Sequence, residues 1–308
     1  MNFQQLRILR ETVRRGFNLT ETATALNTSQ SGVSKHIKDL ELELGVELFE
    51  RRGKRVLGLT DAGRQVIGYV DRILIDAASV KRVTEHLRDA ASGALVIATT
   101  HTQARYVLPP VIKRFRDEYP SVHLELRQAD PQHIVGMLRD GGADIGVATE
   151  SVARVEELVA FPYYTWRHVV IAPRESPLAA AGPLSLADVA AQPIVTYGEG
   201  FTGRPIIDAA FRDAGLTPDI VVSAIDSDVI KAYVALGLGV GVIAEMALDP
   251  QRDHDLALVA SGLFAPATSY IAVLRGRYLR GYAHRFLEIC RSDLTEAYVR
   301  KALDAQPR

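Results

Sequence analysis

The spacing of apolar residues changes at about Ser92-Gly93. Before this point, apolar residues recur every three or four positions, which predicts amphipathic helices. After it, short apolar or alternating runs that indicate strands take turns with helical segments, an order typical of a parallel α/β sheet. With 308 residues, the chain is long enough for two or three domains. We therefore expect a helical N-terminal part and a larger α/β part.

Charge is divided between the same two parts. Residues 1–88 contain 15 Lys and Arg against 11 Asp and Glu, although the whole chain has a formal net charge of −1. The overall balance is therefore not that of a strongly basic nucleic-acid binder. A basic front on an acidic remainder indicates an anion-binding head joined to a domain of another kind.

Several classes of protein have no support in the sequence. The single cysteine, Cys290, excludes an intrachain disulfide. The segment Met1 to Arg15 is amphipathic and lacks the apolar core of a secretory signal. No apolar run approaches the roughly 20 residues that a membrane span needs. The histidines are scattered without metal-ligand spacing. We expect a cytoplasmic protein without membrane association, metal or enzyme cofactor.

The first ninety residues contain a helix-turn-helix pattern. Apolar spacing predicts a first helix over residues 2–15. Asn18 can cap a second helix, Leu19–Leu26, and Ser29 can cap a third, Gln30–Leu44. Two short helices joined by a tight polar turn form this motif. Any amphipathic three-helix unit looks similar, so a purely structural role remains open at this point.

Two groups of residues in this part are candidates for DNA contacts. Polar side chains at the start of the third helix can donate to phosphates and base edges in the major groove. The apolar pairs Leu48-Phe49 and Val56-Leu57 flank a basic run and can form a hairpin, a wing suited to backbone or minor-groove contacts. The alternative for the basic run is a solvated turn. The predicted DNA contacts are Gln30, Ser31, Ser34, Lys35, Lys38, Arg51 and Arg55.

A long helix follows the predicted wing, which ends at residue 59. It is expected over residues 60–91, where apolar residues alternate four and three positions apart as in a coiled coil. The members of this heptad seam are Val66, Val70, Ile73, Ala77, Val80, Thr84 and Leu87. The seam predicts dimerisation through this linker helix. The alternative is packing on the helical head of the same chain, and we expect both.

Residues 92–308 predict two α/β lobes that close on each other like a clamshell. Lobe I is expected at about 92–163 and 268–308, and lobe II at about 164–267. The late strand predicted at Tyr270–Leu274 and a helical segment over 279–303 return to lobe I. Open α/β sheets bind ligands at the carboxyl ends of their strands, here in the cleft between the lobes.

Three polar loops follow predicted strands and offer hydroxyl groups. Two of them also precede helices, whose free N–H groups bind anions. The loops are Thr99–Gln103, Thr149-Glu150 and Gly198–Arg204. A small anionic ligand is the natural inference, with Arg105 and Arg204 as nearby sources of charge. The commoner role of a Thr beside a helix is to cap it, so both roles stay open for each Thr.

A glycine-rich run, Gly237–Gly241, resembles a dinucleotide-binding fingerprint only weakly. It precedes a predicted strand, whereas the fingerprint follows one. We interpret the run as a tight turn with close packing.

The motifs of the head resemble a known family. Thr28-Ser29-Gln30, Ser34-Lys35 and Leu48-Phe49 with Arg51 are similar to the winged helix-turn-helix of LysR-type transcriptional regulators. The linker helix and the two lobes also match, so the resemblance covers essentially the whole chain. More specific segments resemble the CysB- and Cbl-like members of that family. These segments are Thr99–Tyr106, Gly200–Arg204 and Asp228–Lys231.

The resemblance implies a fold and a function. The fold is an N-terminal all-α winged helix-turn-helix with a long linker helix, followed by an α/β two-lobe effector domain like that of periplasmic binding proteins. The implied protein is a homotetramer that dimerises through its linker helix and binds promoter DNA, with RNA polymerase as a further partner. It would regulate sulfur assimilation and cysteine biosynthesis or, as a Cbl-like alternative, the use of alkanesulfonates or other sulfur sources.

The resemblance also implies an effector site between the lobes. Effectors of such regulators are small sulfur-pathway anions or their precursors, such as N-acetylserine, O-acetylserine, adenosine phosphosulfate or sulfate. The positions that match are Thr100, Thr102, Gln103, Thr149 and Thr202, with Trp166 lining the cleft. One departure is Ser31, where many family members have Pro, and this puts the base preference in doubt.

An enzyme and a solute-binding protein are the competing hypotheses. His101 or His168 could act as a base beside the threonines of the cleft. Nucleophilic catalysis, however, needs a hydroxyl, a base and an orienting group within reach of one another. Neighbouring residues at a strand end point in different directions, so we expect no catalytic residues. The DNA-binding head argues against a solute-binding protein.

Overall fold

The structure of the chain is a computed structural model. The residues that it describes are 1–53, 55–88, 93–182, 184–201 and 203–305. They divide into two compact units, the first formed by Met1–Arg88 with Gly276–Tyr278 and the second by the remainder. Among the described residues, no helix is long and apolar enough to cross a membrane.

Over the residues that the structure describes, the first unit is built from four helices and one hairpin. The helices are α1 (Phe3–Arg14), α2 (Leu19–Ala25), α3 (Gln30–Leu44) and α4 (Asp61–Arg88). Asn18 Oδ1 accepts hydrogen bonds from backbone N–H groups at the start of α2, and Ser29 Oγ does so at the start of α3. Both predicted helix starts are thus confirmed, because each cap satisfies N–H groups that lack a partner within the helix.

The hairpin forms the predicted wing. Its strands are β1 (Phe49–Arg52) and β2 (Arg55–Leu59), which pair antiparallel from Phe49 opposite Leu59 to Arg52 opposite Arg55. Phe49 is completely buried, whereas the arginines at the turn are exposed. The apolar base of the hairpin therefore fixes it to the head, and the basic tip projects into solvent.

The linker helix α4 packs on its own head for about its first four turns. Val70 and Leu74 are buried in the head core together with Leu9, Val33 and Ile37, and Val66 packs against the same core. Other members of the predicted seam, Ile73 and Val80, are 37% and 65% exposed. The side chains of Thr84 and Leu87 lie outside the described part of the chain. Leu44, predicted on the inner face of α3, is instead 39% exposed.

The second unit contains ten strands and eight helices among its described residues. The strands are β3 (Gly93–Thr99), β4 (Val122–Gln128), β5 (Ile145–Ala148), β6 (Leu158–Trp166), β7 (His168–Pro173), β8 (Pro193–Tyr197), β9 (Asp219–Ala224), β10 (Val240–Ala244), β11 (Leu256–Ser261) and β12 (Ala267–Leu274). The helices are α5 (Leu108–Glu118), α6 (Pro131–Arg139), α7 (Pro177–Ala180), α8 (Leu186–Ala190), α9 (Arg204–Asp213), α10 (Ser227–Ala235), α11 (Gly281–Cys290) and α12 (Glu296–Asp304).

Lobe I is formed by the sheet with strand order β4-β3-β5-β12-β6. Strands β4, β3 and β5 are parallel, and β12 runs antiparallel to both β5 and β6. Helices α5, α11 and α12 cover the sheet with buried side chains such as Phe115, Phe286 and Val299. The predicted return of the C-terminal elements to this lobe is confirmed.

Lobe II is formed by the sheet with strand order β11-β7-β10-β8-β9. Strands β10, β8 and β9 are parallel, and β7 is antiparallel to both β10 and β11. Its core includes Ile171, Val195, Phe211 and Val242. Each lobe therefore has a parallel half whose carboxyl ends meet at one edge, as the two-lobe α/β prediction requires.

The structure differs from the sequence prediction in a few elements. Strands β6 and β11 and the short helix α7 were not predicted. The helix expected over 279–303 is two helices, with Arg291 and Thr295 flanking the break. The run Gly237–Gly241 is a turn that enters β10, as predicted. Gly239 has φ +155°, and a Cβ there would lie 2.1 Å from the carbonyl oxygen of Pro193, so only glycine fits.

Candidate functional site

The start of α3 forms an exposed polar face on the head. Ser29 Oγ accepts a hydrogen bond from the backbone N–H of Gly32 at 3.1 Å and lies 3.1 Å from Ser31 Oγ. Of the side chains predicted to contact DNA, Ser34 is partly exposed. Those at the start of α3 that are exposed are Gln30, Ser31, Lys35 and Lys38. All five lie on the surface of the head, where contact with base edges remains a prediction.

The wing is attached to α3 by one carboxylate. Glu41 Oε1 accepts hydrogen bonds from the N–H groups of Leu48 at 2.9 Å and Phe49 at 3.2 Å. Its Oε2 accepts from Arg51 Nη2 at 2.7 Å. Arg51 is thus committed to the head itself, whereas Arg55, across the hairpin, is exposed. The sequence did not predict these hydrogen bonds of Glu41, because its partners follow seven to ten residues later.

In lobe I, two predicted effector residues lie at neighbouring strand ends. Thr99, the last residue of β3, pairs with Val147 of the parallel strand β5. Thr100 and Thr149, the first residues after these strands, are therefore brought to the same edge of the sheet. They are only 2% and 6% exposed. The first two polar loops therefore converge because β3 and β5 are neighbouring parallel strands.

Two of the hydroxyls at this edge have no hydrogen-bond partner in the part of the chain that the structure describes. Oγ1 of Thr100 and Oγ1 of Thr102 are buried, and among the described residues neither makes a hydrogen bond. Buried polar groups in native proteins are nearly always paired, so unpaired ones need an explanation. A ligand or an ordered water that accepts or donates at this position would supply one.

Gln103 and Trp166 are held together by a serine of β12. Gln103 is completely buried; its Nε2 donates to Ser269 Oγ at 3.1 Å, and its Oε1 accepts from Tyr164 Oη at 2.6 Å. Nε1 of Trp166 donates to the same Ser269 oxygen at 3.1 Å. The polar groups of both predicted effector residues are therefore engaged within lobe I, where they hold the edge of the cleft in shape.

In lobe II, a buried tyrosine at the carboxyl end of β8 connects neighbouring segments by hydrogen bonds. Tyr197, the last residue of β8, has its hydroxyl 2.6 Å from Ser227 Oγ and accepts from the N–H of Ala244 at 2.9 Å. Complete burial raises the pKa of Tyr197 to about 12, against the smaller lowering effects of its hydrogen bonds with Ser227 and Ala244. The phenol is therefore neutral and acts as a fixed polar group. Sequence reasoning did not predict Tyr197.

The predicted loop Gly198–Arg204 follows this tyrosine. Thr202 lies outside the described residues. Arg204, considered as a source of charge, is 9% exposed and braces the loop: its Nε donates to Asp208 at 2.6 Å, and its Nη1 donates to the carbonyl oxygen of Tyr197 at 2.6 Å. Arg105, the other candidate, is exposed and donates to Asp228 at 3.2 Å.

The same loop approaches β7 so closely that a side chain is excluded. Gly203 has φ +72°, and a Cβ at this position would lie 2.4 Å from Cε1 of His168 and 3.2 Å from the Trp166 ring. The ring centroids of Trp166 and His168 are 4.8 Å apart. The glycine thus allows the loop to pack directly on the two rings.

Comparison with known proteins identifies the family. Residues 3–64 match the model of the bacterial regulatory helix-turn-helix protein, lysR family, and residues 88–295 match the LysR substrate binding domain. The chain belongs to the LysR family of transcriptional regulators. It is a DNA-binding regulator with an effector domain, and this assignment decides against the hypothesis of an enzyme acting in the cleft.

Relatives define a narrower group. The chain is 52% identical over 300 residues to the HTH-type transcriptional regulator SsuR of Burkholderia cenocepacia, covering 97% of each chain. It is 45% identical to CysB of the same organism, covering 99% of this chain and 98% of that one. The crystal structure of the cofactor-binding domain of the Cbl transcriptional regulator is similar with a TM-score of 0.66 and 47% identity, covering 70% of this chain and 95% of that one.

Proposed function

We propose that this protein regulates genes of sulfur assimilation and cysteine biosynthesis. It binds their promoter DNA through its head and responds to a small anionic sulfur-pathway metabolite in the cleft between lobes I and II. The observation that carries the effector site is the pair of buried hydroxyls, on Thr100 and Thr102, that lack a partner among the described residues. Similarity to proteins named SsuR, CysB and Cbl supports the choice of pathway.

The proposed effector site consists of neutral donors. The hydroxyls of Thr100, Thr102 and Thr149 can donate to the oxygens of a sulfate, sulfonate or carboxylate group. Hydrogen bonds to an ionised group are about twice as strong as those between neutral groups. We assign Gln103 and Trp166 to the site as residues that position its lobe I edge, because both donate hydrogen bonds to Ser269 Oγ. The candidate effectors are N-acetylserine, O-acetylserine, adenosine phosphosulfate and sulfate.

The linker helix supplies a surface for dimerisation. Tyr69, Ile73 and Val80 lie on α4 and are 68%, 37% and 65% exposed, although they are large and apolar. Exposed apolar side chains repeated along one helix favour association with a second copy. We propose a dimer through α4 and a homotetramer of such dimers, with RNA polymerase as the partner at the promoter.

A Cbl-like regulator of alkanesulfonate or other sulfur-source use is the second candidate. The observation that favours it is the identity of 52% to SsuR, compared with 45% to CysB. Both candidates use the same cleft and the same DNA-binding head. They differ in the target genes and in the effector that produces a response.

The test measures DNA binding by the full-length protein, with fluorescence anisotropy of the labelled DNA as the readout. Labelled duplexes come from promoters of cysteine-biosynthesis genes and of sulfonate-use genes, and scrambled duplexes of equal length serve as controls. Sequence-specific binding is expected, with log K falling by roughly 0.9 per neutralised phosphate per log unit of salt. Equal affinity for the promoter and scrambled duplexes would contradict the proposal.

A second arm of this test adds each of the four candidate effectors to wild type and to Thr100→Val. Valine has nearly the shape of threonine but lacks the hydroxyl, so we expect the effector concentration at half response to rise about tenfold or more. Thr217→Val, at an exposed threonine of lobe II outside the cleft, is the matched control. If Thr100→Val responds as wild type does, the site assignment is wrong, while the regulator assignment stands.

A further inference from the structure

A π-helical turn in lobe I contains Gln103 of the proposed effector site and, after it, residues that contact lobe II. The turn spans Gln103–Val107 and is closed by a hydrogen bond from the N–H of Leu108 to the carbonyl oxygen of Gln103. Turns of this type are rare and are frequently found at functional sites. Its first residue is buried in lobe I, and Thr100 and Thr102 precede it directly. The turn therefore connects these threonines directly, along the chain, to the residues that reach lobe II.

Tyr106, in the same turn, reaches across to lobe II. Its ring packs against the apolar core of that lobe. Its hydroxyl donates to Asp228 Oδ1 at 2.6 Å, and Nε of the preceding Arg105 donates to Asp228 Oδ2 at 3.2 Å. Asp228 lies in the first turn of α10 in lobe II. One carboxylate thus accepts two hydrogen bonds from the opposite lobe.

Lobe II holds this carboxylate in place through Lys231. Nζ of Lys231 lies 3.2 Å from Asp228 Oδ1, donates to both carboxylate oxygens of Asp253 at 3.1 and 3.0 Å, and donates to the carbonyl oxygen of Ala247 at 2.9 Å. It also lies 5.5 Å from the centre of the Tyr106 ring, within the range of a cation–π contact. Asp228 is therefore anchored in its own lobe by a largely buried cation.

The surrounding groups keep Asp228 ionised at neutral pH. Partial burial opposes ionisation, but the hydrogen bonds from Tyr106, Lys231 and Arg105 outweigh it and hold the pKa of Asp228 below its ordinary value. Burial and the bond to Asp228 raise the pKa of the Tyr106 phenol well above its usual range. The phenol is the donor and the carboxylate the acceptor throughout the neutral range.

The same carboxylate is close to two other possible cation ligands. His101, Asp226 and Asp228 offer atoms that lie within 4.8 Å of one another. Asp228, however, is already neutralised by Arg105 and Lys231, and Asp226 Oδ1 caps α10 by accepting from the N–H of Val229. The arrangement is that of a salt-bridged junction between the lobes.

We propose that Arg105, Tyr106 and Asp228 form an interlobe clasp. The clasp holds lobes I and II in the arrangement in which Thr100 and Thr102 face the Tyr197 edge, and it sets the affinity for the effector. Asp228 is a positioning residue that does not touch the effector. The inference rests on the proposed effector site, because it assigns the clasp a role in regulating that site.

The experiment measures the lobe arrangement and effector affinity separately, in the full-length protein. Tyr106→Phe removes the donor and keeps the ring, and Asp228→Asn removes the charge and keeps the shape. Spin labels at Lys113→Cys on α5 and Arg212→Cys on α9, in a Cys290→Ala background, report the interlobe distance. Labelled chains are diluted with unlabelled chains so that distances between copies do not contribute. Calorimetry with sulfate and with N-acetylserine measures affinity.

Both clasp variants are expected to give a longer or broader interlobe distance distribution than wild type, and an affinity at least about fivefold weaker. The matched controls are Tyr233→Phe on α10 and Asp219→Asn at the start of β9, both exposed positions of lobe II, and they should behave as wild type. Wild-type distances in both variants would overturn the clasp. Altered distances with unchanged affinity would overturn its role in regulation.

The two proposals can fail separately. If neither sulfate nor N-acetylserine binds to the wild-type protein, the effector assignment fails for these probes, and the distance measurement still decides whether the clasp exists. If the probes bind to wild type and to both clasp variants with equal affinity, the effector site stands and the regulatory role of the clasp is wrong.

Discussion

Buried hydroxyl groups at the two edges of the proposed cleft differ in whether they have a hydrogen-bond partner. In lobe I, the hydroxyls of Thr100 and Thr102 are buried without a hydrogen-bond partner among the described residues. In lobe II, the hydroxyl of Tyr197 is engaged by both Ser227 and Ala244, and the hydroxyl of Thr196 donates to the carbonyl oxygen of Val242 at 3.0 Å. The first edge has unused hydrogen-bonding capacity for a ligand, whereas the second uses its polar groups to hold its own shape.

The difference separates function from stability. A buried hydroxyl that lacks a partner carries a desolvation cost, which a ligand can offset. A buried hydroxyl that is paired stabilises the fold, and its removal leaves its partners unsatisfied. Substitutions of Thr100 or Thr102 in lobe I should therefore change effector binding with little effect on stability, and substitutions of the paired hydroxyls in lobe II should mainly lower stability.

The largest effect is expected for Gly203→Ala in lobe II. An alanine at this position would have to adopt φ +72°, and its Cβ would lie 2.4 Å from Cε1 of His168. Because both effects destabilise the folded state, we expect a loss of about 3 kcal/mol or more in the free energy of unfolding. Gly200→Ala is the control, because its φ is +81° but no atom lies within 4 Å of the added Cβ. Its expected cost is only about 1 kcal/mol.

The two variants are compared by denaturant unfolding, which is monitored by the fluorescence of the single tryptophan, Trp166. Trp166 is the ring against which this loop packs, so it reports the region that changes. Equal losses for Gly203→Ala and Gly200→Ala would mean that the loop does not pack tightly on the rings, and that this edge is not rigid.

An intermediate effect is expected for Tyr197→Phe. The change removes the hydroxyl that Ser227 and the N–H of Ala244 share, and it leaves buried polar groups without a partner. We expect a loss of about 1–3 kcal/mol in the free energy of unfolding near neutral pH. Chemical denaturation of wild type and variant measures it, and a loss near zero would contradict the structural role of this edge.

The pH dependence sharpens this prediction. The pKa of Tyr197 is about 12 in the folded protein, above the ordinary value of 10 for a tyrosine, because burial disfavours the charged form. Its contribution to stability is fully present below about pH 10 and is lost as pH rises towards 12, since the unfolded chain releases this proton first. The stability difference between wild type and Tyr197→Phe should therefore narrow over this range.

The sequence alone predicts the elements that local signals define. Asn18 and Ser29 mark the helix starts of the head, and alternation or apolar runs mark strands such as β4 and β5. Because the carboxyl ends of parallel strands lie at the same edge of a sheet, the pattern also places Thr100 near Thr149. Strand β6 has no such signal, since Pro162 and two adjacent tyrosines interrupt its alternation.

The partners of the site residues could not be predicted in the same way. Gln103 is bonded to Ser269, 166 positions later, and to Tyr164 on the unpredicted strand β6. The contact between Tyr106 and Asp228 joins residues 122 positions apart in different lobes. Such contacts depend on strand order and on how the lobes meet. The sequence therefore identifies the candidate residues of lobe I, but it does not predict which of their polar groups are hydrogen-bonded within the protein.

The smallest effect on stability is expected for Thr100→Val in lobe I, and it is the sharpest test of the contrast. Its hydroxyl is buried and makes no hydrogen bond to any residue that the structure describes, so its replacement by a methyl group should leave stability unchanged or raise it by up to about 1 kcal/mol. Thr196→Val in lobe II is the matched change, because Thr196 is equally buried and its hydroxyl is paired. It should lower stability by about 1 kcal/mol. Thermal and denaturant unfolding of the two variants without effector measure the difference, and a clear loss for Thr100→Val would show that its hydroxyl has a structural partner after all.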